Sequence, residues 1–155
     1  MQKRIRMAKR RAAVCGLREV ITWSFISSSQ AMLFADPKPE LILDNPVSSD
    51  LNAMRPNLLP NLITAAGRNS DRGIKSVALF EAGNQFYSDK IDGQNFVIAG
   101  IRRGQKNERH WQKNSEDINV YDAKADTISI LNAIGVKADN SQLVDEAPAW
   151  YHPGR

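Results

Sequence analysis

The sequence predicts an α+β fold in which a mainly antiparallel sheet is flanked by helices, and three observations lead there. Two runs rich in β-branched and aromatic residues, Val77–Phe86 (VALFEAGNQF) and Phe96–Arg102 (FVIAGIR), are separated by turn formers around Ser88–Gly93, which reads as a hairpin. Helical patterns with one apolar face stand near the start, the middle and the end of the chain. The strands and helices do not alternate in a regular βαβα order, so a doubly wound parallel sheet is the weaker alternative.

At 155 residues, with 42% apolar and 25% charged residues, the chain has the size and composition of one soluble domain spanning residues 1–155. No apolar run approaches the roughly 20 residues that a membrane-spanning helix needs. The single cysteine, Cys15, cannot form an internal disulfide, which fits a reducing, cytoplasmic setting. The net charge of +4 is not a property of the whole chain. Six of the 21 basic residues (Lys3, Arg4, Arg6, Lys9, Arg10 and Arg11) fall before position 12 with no acid among them, which leaves 15 basic against 17 acidic residues, a formal −2.

Taken in order, the first element is a helix, Lys3–Cys15, with Ile5, Ala8, Ala12 and Cys15 on one face and the cations on the other. An RNA-binding arm is the other reading of this segment; a transit peptide would carry serines that are absent here. Gly16 ends the helix and a strand, Glu19–Phe25 (EVITWSF), follows. Ser27, Ser28 and Ser29 offer N-caps to a short helix through Ala31–Phe34, which Asp36-Pro37-Lys38-Pro39 stops before a brief strand, Glu40–Leu43. Arg55-Pro56 and Leu58-Leu59-Pro60 then keep the chain extended or turned through Met54–Leu59. Pro60 suits the first turn of a helix, and Leu59, Leu62, Ile63 and Ala66 form its apolar stripe, which fades at Asn69 and stops at Gly73. After the hairpin, Gly104–Asp117 has no period and reads as a mobile loop with Trp111 as an anchor. The last helix runs from Asp122, as N-cap, through Ile128, Leu131 and Ile134 to Gly135.

No catalytic, cofactor-binding or metal-binding residue is assigned from these patterns. Glu81, Asp89 and Asp92 stand near one hairpin, but alternation puts Glu81 on the opposite face from Phe80 and Ala82, and the two aspartates are turn formers. Structural roles are therefore expected for all three. His110 and His152 have no Cys or His at ligand spacing. Gly93, Gly100 and Gly104 precede no helix N-terminus that would make a phosphate-cradling loop. Cys15 has no local group that would activate a thiol, and packing is the simpler role.

Five blocks, GLREVITWSF, NPVSSDLNAMRPNLLPNL, LFEAGNQF, VYDAKADTISIL and WYHPGR, together resemble the catalytic-like region of the phenylalanyl-tRNA synthetase beta subunit in order and spacing. The resemblance implies a class II aminoacyl-tRNA synthetase-like fold, here an excised, partial catalytic-like domain truncated at its C-terminal end, with later strands absent. Gly16–Trp23 resembles the first class II motif, with Trp23 where a proline is usual. The second motif ends a strand with Phe-Arg-x-Glu, whose arginine faces the ATP α-phosphate; the matching residues here are Phe86-Tyr87-Ser88-Asp89. Tyr87 cannot offset the charge that develops during adenylate formation, so the resemblance implies a retained fold and a lost activity. The third motif's arginine would lie beyond Arg155.

The resemblance further implies a cytoplasmic heterotetramer with the catalytic alpha subunit, which uses ATP and magnesium to charge tRNA with phenylalanine. The magnesium-binding acids of the beta subunit would lie upstream of this region, so no cofactor site is expected here. Two functions stay open: a non-catalytic interaction domain that docks on the alpha subunit, and a tRNA-binding module acting through the basic helix Lys3–Arg11. An unpaired sheet edge and a helix face without its partner lead us to expect self-association of the chain, or else disorder in the last residues and the loop Gly104–Asp117.

Overall fold

A hairpin of two ten-residue strands is the spine on which the other elements pack. The computed structural model of the chain describes residues 1–35, 38–107, 111–112, 114, 116–137 and 146–151. In chain order the elements are α1 (Gln2–Val14), β1 (Arg18–Glu19), β2 (Phe25–Ile26), α2 (Ser28–Met32), β3 (Ala53–Met54), α3 (Leu59–Asp71), β4 (Val77–Phe86), β5 (Gln94–Arg103) and α4 (Val120–Ala133). Strands β4 and β5 pair antiparallel without a bulge from Val77↔Arg103 to Phe86↔Gln94. Strand β1 lies parallel to β4 on its other side, with Arg18 opposite Leu79. The sheet order is thus β1-β4-β5, and β2 and β3 form a separate two-stranded ribbon.

Alternation along β4 separates two cores. Val77 and Leu79 point to the α3 face, where they meet Leu58, Leu62 and Ala66. Phe80 points to the other face and packs with Ala12 of α1 and Leu17, under Ile98 and Ile130. Both faces of the hairpin are therefore covered by helices, which is why β4 reads as a near-continuous apolar run and not as a strict alternation.

Several elements depart from expectation, each for a definable reason. The strand expected over Glu19–Phe25 is cut after two residues. The Val20 N–H still reaches the Phe80 carbonyl, at 2.8 Å. Beyond it the backbone N–H and hydroxyl of Thr22 both bond the Glu81 carboxylate, so a side chain takes the place of a ladder partner. Ile21 and Trp23 consequently point outward, 90% and 73% exposed. The strand expected at Glu40–Leu43 is a 3₁₀ turn, Pro39–Leu41, because Pro39 presets the turn and the Leu41 N–H returns to the Lys38 carbonyl; Ile42 alone bridges to Ala53.

In α3 the buried stripe is Leu58, Leu62 and Ala66, and Ile63, expected in the core, is 49% exposed. Leu58 already has helical dihedrals as N-cap, with Leu59 the first helical residue, so the stripe begins one residue earlier than the prolines suggest. Asn119, not Asp122, caps α4; Asp122 closes the capping box by accepting from the Asn119 N–H at 2.8 Å. That bond, reinforced by Lys106, holds the Asp122 carboxyl below its ordinary range. The segment expected to be a mobile loop is tied at its base by the Gln105↔Asp117 bridge and by Lys106, whose ammonium lies 3.2 Å from Asp122. Trp111 is 86% exposed and is not a buried anchor. Within that loop, residues 108–110, 113 and 115 lie outside the described residues, as does the end of the WYHPGR block.

One buried polar group joins these parts. Arg55 and Glu81 form an ion pair at 2.8 Å with side chains only 3% and 4% exposed. Arg55 also donates from Nε to the Asn84 carbonyl and from Nη1 to the Thr22 hydroxyl, both at 2.9 Å. Asn61 of α3 donates to the same hydroxyl and to the Trp23 carbonyl, both at 2.7 Å. The Arg55 main chain is held from both sides, its N–H by Ser24 and its carbonyl by Phe86. Gly83 makes the room: a Cβ there would sit 2.6 Å from Arg55 Nη2. Among the described residues no buried side-chain nitrogen or oxygen lacks a partner.

Two outcomes follow for stability, each read from denaturant midpoints. Leu62→Ala should cost about 2–5 kcal/mol, whereas Ile63→Ala should stay within about 0.5 kcal/mol; equal losses would place both in the core. Arg55→Met should cost about 3–5 kcal/mol, because it leaves the Glu81 carboxylate buried without its charge partner; a loss below about 1 kcal/mol would show that the pair is dispensable.

Candidate functional site

The turn that follows β4, which the sequence resemblance aligns with the second class II motif, is closed by backbone hydrogen bonds. The Tyr87 N–H bonds the Gly93 carbonyl at 2.7 Å, and the Tyr87 hydroxyl accepts from Gln85 Nε2 at 2.7 Å. Lys38 Nζ reaches across to the Tyr87 carbonyl at 2.6 Å. Beside this turn lies a cavity of about 260 Å³ lined by Phe34, Leu41, Pro56, Phe86 and Trp150 among others. Trp150 rests against Phe34 with ring centroids 5.6 Å apart. The lining is mostly apolar and aromatic, with Lys38, Asn57 and Gln85 among its polar members, and the Lys38 ammonium already bonds the Tyr87 carbonyl.

Two guanidiniums near the sheet are committed elsewhere. Arg55 is enclosed by Glu81, Thr22 and Asn84. Arg102 holds Asp126 through Nε and Nη2 and also bonds the Cys15 carbonyl, and the Asp126 hydrogen bond raises its pKa further above the ordinary value. Their side-chain partners are Glu81, Thr22, Asn84 and Trp23 for Arg55, and Asp126 and Cys15 for Arg102. Chemically, this end of β4 can position backbone and bury aromatic surface, but it has no fork of donors for a phosphate.

The other residues singled out from sequence are dispersed. Glu81 sits mid-strand on the α3 face under Arg55, while Asp89 and Asp92 are exposed in the turn. Among the described residues no group of three or more His, Cys, Asp or Glu could hold a metal ion. Cys15 is half-buried at the end of α1, its Sγ 3.6 Å from Ser129 Oγ. Gly93 closes the hairpin turn and Gly104, at φ +85°, follows β5 directly. His110 and His152 lie outside the described residues.

A second candidate surface surrounds α1. Lys9 pairs with Glu19 at 2.6 Å and Arg11 bonds Ser129, whereas Lys3, Arg4, Arg6 and Arg10 are exposed. Next to Lys3 and Arg4 an open groove of about 640 Å³ has an apolar floor that includes Ile5, Ala8, Phe96 and Ile134. Such a surface, apolar with a cationic rim, suits a macromolecular partner.

Sequence reasoning missed Arg55, Thr22 and Asn61, the groups around Glu81. The available signal was Glu81 itself, since a carboxylate between Phe80 and Ala82 in an apolar strand demands a buried partner. Nothing local in sequence tells which of the distant cations it is.

Comparison with known proteins agrees with this architecture. The family model described as phenylalanyl tRNA synthetase beta chain CLM domain matches residues 1–155. The phenylalanine–tRNA ligase beta subunit of Paramagnetospirillum magneticum is 49% identical over 154 residues, 99% of this chain and 19% of that protein. The corresponding subunit of Mesorhizobium japonicum is 47% identical over 159 residues, covering 100% of this chain and 20% of that protein. The chain therefore spans about a fifth of the length of these curated relatives. Among solved structures, a pyrrolysyl-tRNA synthetase from Desulfitobacterium hafniense superposes with a TM-score of 0.60 over 88% of this chain and 45% of that one, at 16% identity. That likeness concerns the fold, and the helix-flanked, mostly antiparallel sheet is class II synthetase-like. With a family match over every residue and close relatives along the whole chain, the protein belongs to the family of phenylalanyl-tRNA synthetase beta chain CLM domains.

Proposed function

We propose that this chain acts as a non-catalytic, synthetase-like domain of a phenylalanine–tRNA ligase beta subunit, docking on the catalytic alpha subunit of a cytoplasmic heterotetramer and supporting ATP-dependent charging of tRNA with phenylalanine. The observation that carries the reading is the end of β4. Adenylate formation places extra negative charge on the α-phosphate, and catalysis needs preorganised cationic donors there. Here the position holds Tyr87, whose hydroxyl already accepts from Gln85, and the adjoining space is mostly apolar, its ammonium, Lys38, bonded to the Tyr87 carbonyl. ATP and magnesium are then handled elsewhere in the assembly, and no residue of this chain is assigned to either. What the domain offers in exchange is a rigid sheet with helix faces left open, above all the groove beside α1.

A second reading is favoured by one specific observation: Lys3, Arg4, Arg6 and Arg10 stand exposed along one helix, a spacing suited to nucleic-acid phosphates. The two readings separate in a binding assay. If tRNA contact is the main role, the chain alone binds tRNA tightly, with affinity that falls steeply with salt and is lost on changing Arg6, Arg10 and Arg11 to Ala. The interaction-domain reading expects weak tRNA binding and a stable complex with the alpha subunit, visible by light scattering.

The central test is phenylalanine-dependent ATP–pyrophosphate exchange by the chain in a preparation free of alpha subunit. No exchange above background is expected. Measurable exchange would overturn the non-catalytic assignment.

A further inference from the structure

Helix α4 is fastened to the rest of the molecule along one line. Asp122, Asp126 and Ser129 stand at i, i+4 and i+7, so they share one stripe of the helix. Each meets a cation from a different place. The Lys106 ammonium, just past β5, lies 3.2 Å from Asp122. Arg102 of β5 grips Asp126 through Nε and Nη2, at 2.5 and 3.0 Å. Arg11 of α1 donates from Nε to the Ser129 hydroxyl. Arg102 Nη2 also donates to the Cys15 carbonyl at the end of α1, so the middle tie joins α4, β5 and α1. The ties act on one another: the Asp122 carboxyl is held low first by the Asn119 N–H and then by Lys106 and Arg102.

Packing beneath the helix is looser than the ties beside it. Ile130 reaches the Phe80 cluster but is only half-buried. A cavity of about 250 Å³ lies under α4, with Leu17, Phe80 and Ile98 on the sheet side and Thr127, Ile130 and Leu131 on the helix side. One exposed ion pair is worth little. Three ties in line on a single hydrogen-bonded rod hold it jointly, because the rod moves as a whole.

We propose that α4 is a two-state element, seated or released as one rod, and that it couples the loop base at Lys106 to the end of α1. Losing the tie at either end weakens the hold on the whole helix. A macromolecule that draws Arg11 away from Ser129 therefore loosens Lys106 from Asp122, and the reverse. The proposal is independent of whether α1 meets protein or tRNA, since either would compete for Arg11.

Native-state amide exchange on two variants whose changes lie outside α4 tests it. Lys106→Met removes the tie at the start of the helix and Arg11→Met the tie nearer its end. Both residues are exposed, and the sequence of α4, with its helix propensity, stays untouched. Each variant should speed exchange about threefold at both ends of the helix, at Lys124 and Ala125 and at residues 131–133, while the β4–β5 ladder keeps its rate. In the parent chain, raising sodium chloride from roughly 0.05 M to roughly 1 M should do the same, and the double variant should respond less. Acceleration confined to the turn beside each lost tie would overturn the proposal and show simple fraying. Equal acceleration of α4 and the ladder would overturn it as well, because α4 would then open only with the whole molecule, and so would unchanged rates in both variants.

Discussion

The pairing of Arg55 with Glu81 is the constraint on which the remaining architecture turns. A carboxylate inside an apolar strand and a guanidinium ahead of a proline are each costly to bury alone, and several kcal/mol per ion are at stake before they meet. Their meeting settles three things at once. It holds the chain after β1 against β4 through Thr22, it fixes Arg55-Pro56 between Ser24 and Phe86, and through Asn61 it ties the start of α3 to both. Gly83 is part of the same arrangement, since any side chain there would collide with the guanidinium. Pro60 stands in the first turn of α3, and through Asn61 and Thr22 that turn joins the network of the ion pair.

Much of the fold was legible because its strongest signals are local. The hairpin, the helices and the glycines that end α1 and α4 follow from periodicity and turn chemistry, and Gly16 and Gly135 do adopt positive φ. The largest misreading comes from a non-local partner that overrides a local preference. Val20–Phe25 has strand composition, yet Glu81, some sixty residues on, draws Thr22 out of the ladder. Leu58 and Leu59 are equally plausible members of a 3.6-residue stripe, and only the place where α3 starts decides that Leu58 is buried and Ile63 is not. The candidate site was legible to a different degree. Tyr87 stood out because a motif pointed at its position, whereas Arg55, the charge that organises the interior, matched no motif.

The same physics separates scaffold from chemistry. A site for phosphoryl chemistry needs donors that are held in place but unpaired in the resting state. In this chain Arg55 and Arg102, the guanidiniums held most firmly, are held by carboxylates, while Arg4, Arg6 and Arg10 stand exposed on α1. Inside the molecule, charge holds elements together.

The most direct measurement of this account is native-state amide exchange on the double variant Arg55→Met, Glu81→Met. Replacing both ions by apolar side chains removes the buried charges together, so global stability should stay within about 2 kcal/mol of the parent chain. If the pair is what fixes the hinge, the Phe86 amide, which bonds the main-chain carbonyl of residue 55, and the residue-55 amide, which bonds Ser24, should exchange much faster than in the parent while the β4–β5 ladder stays protected. Unchanged protection at both amides would contradict the claim and would show that the backbone around Arg55-Pro56 holds its place without the ion pair.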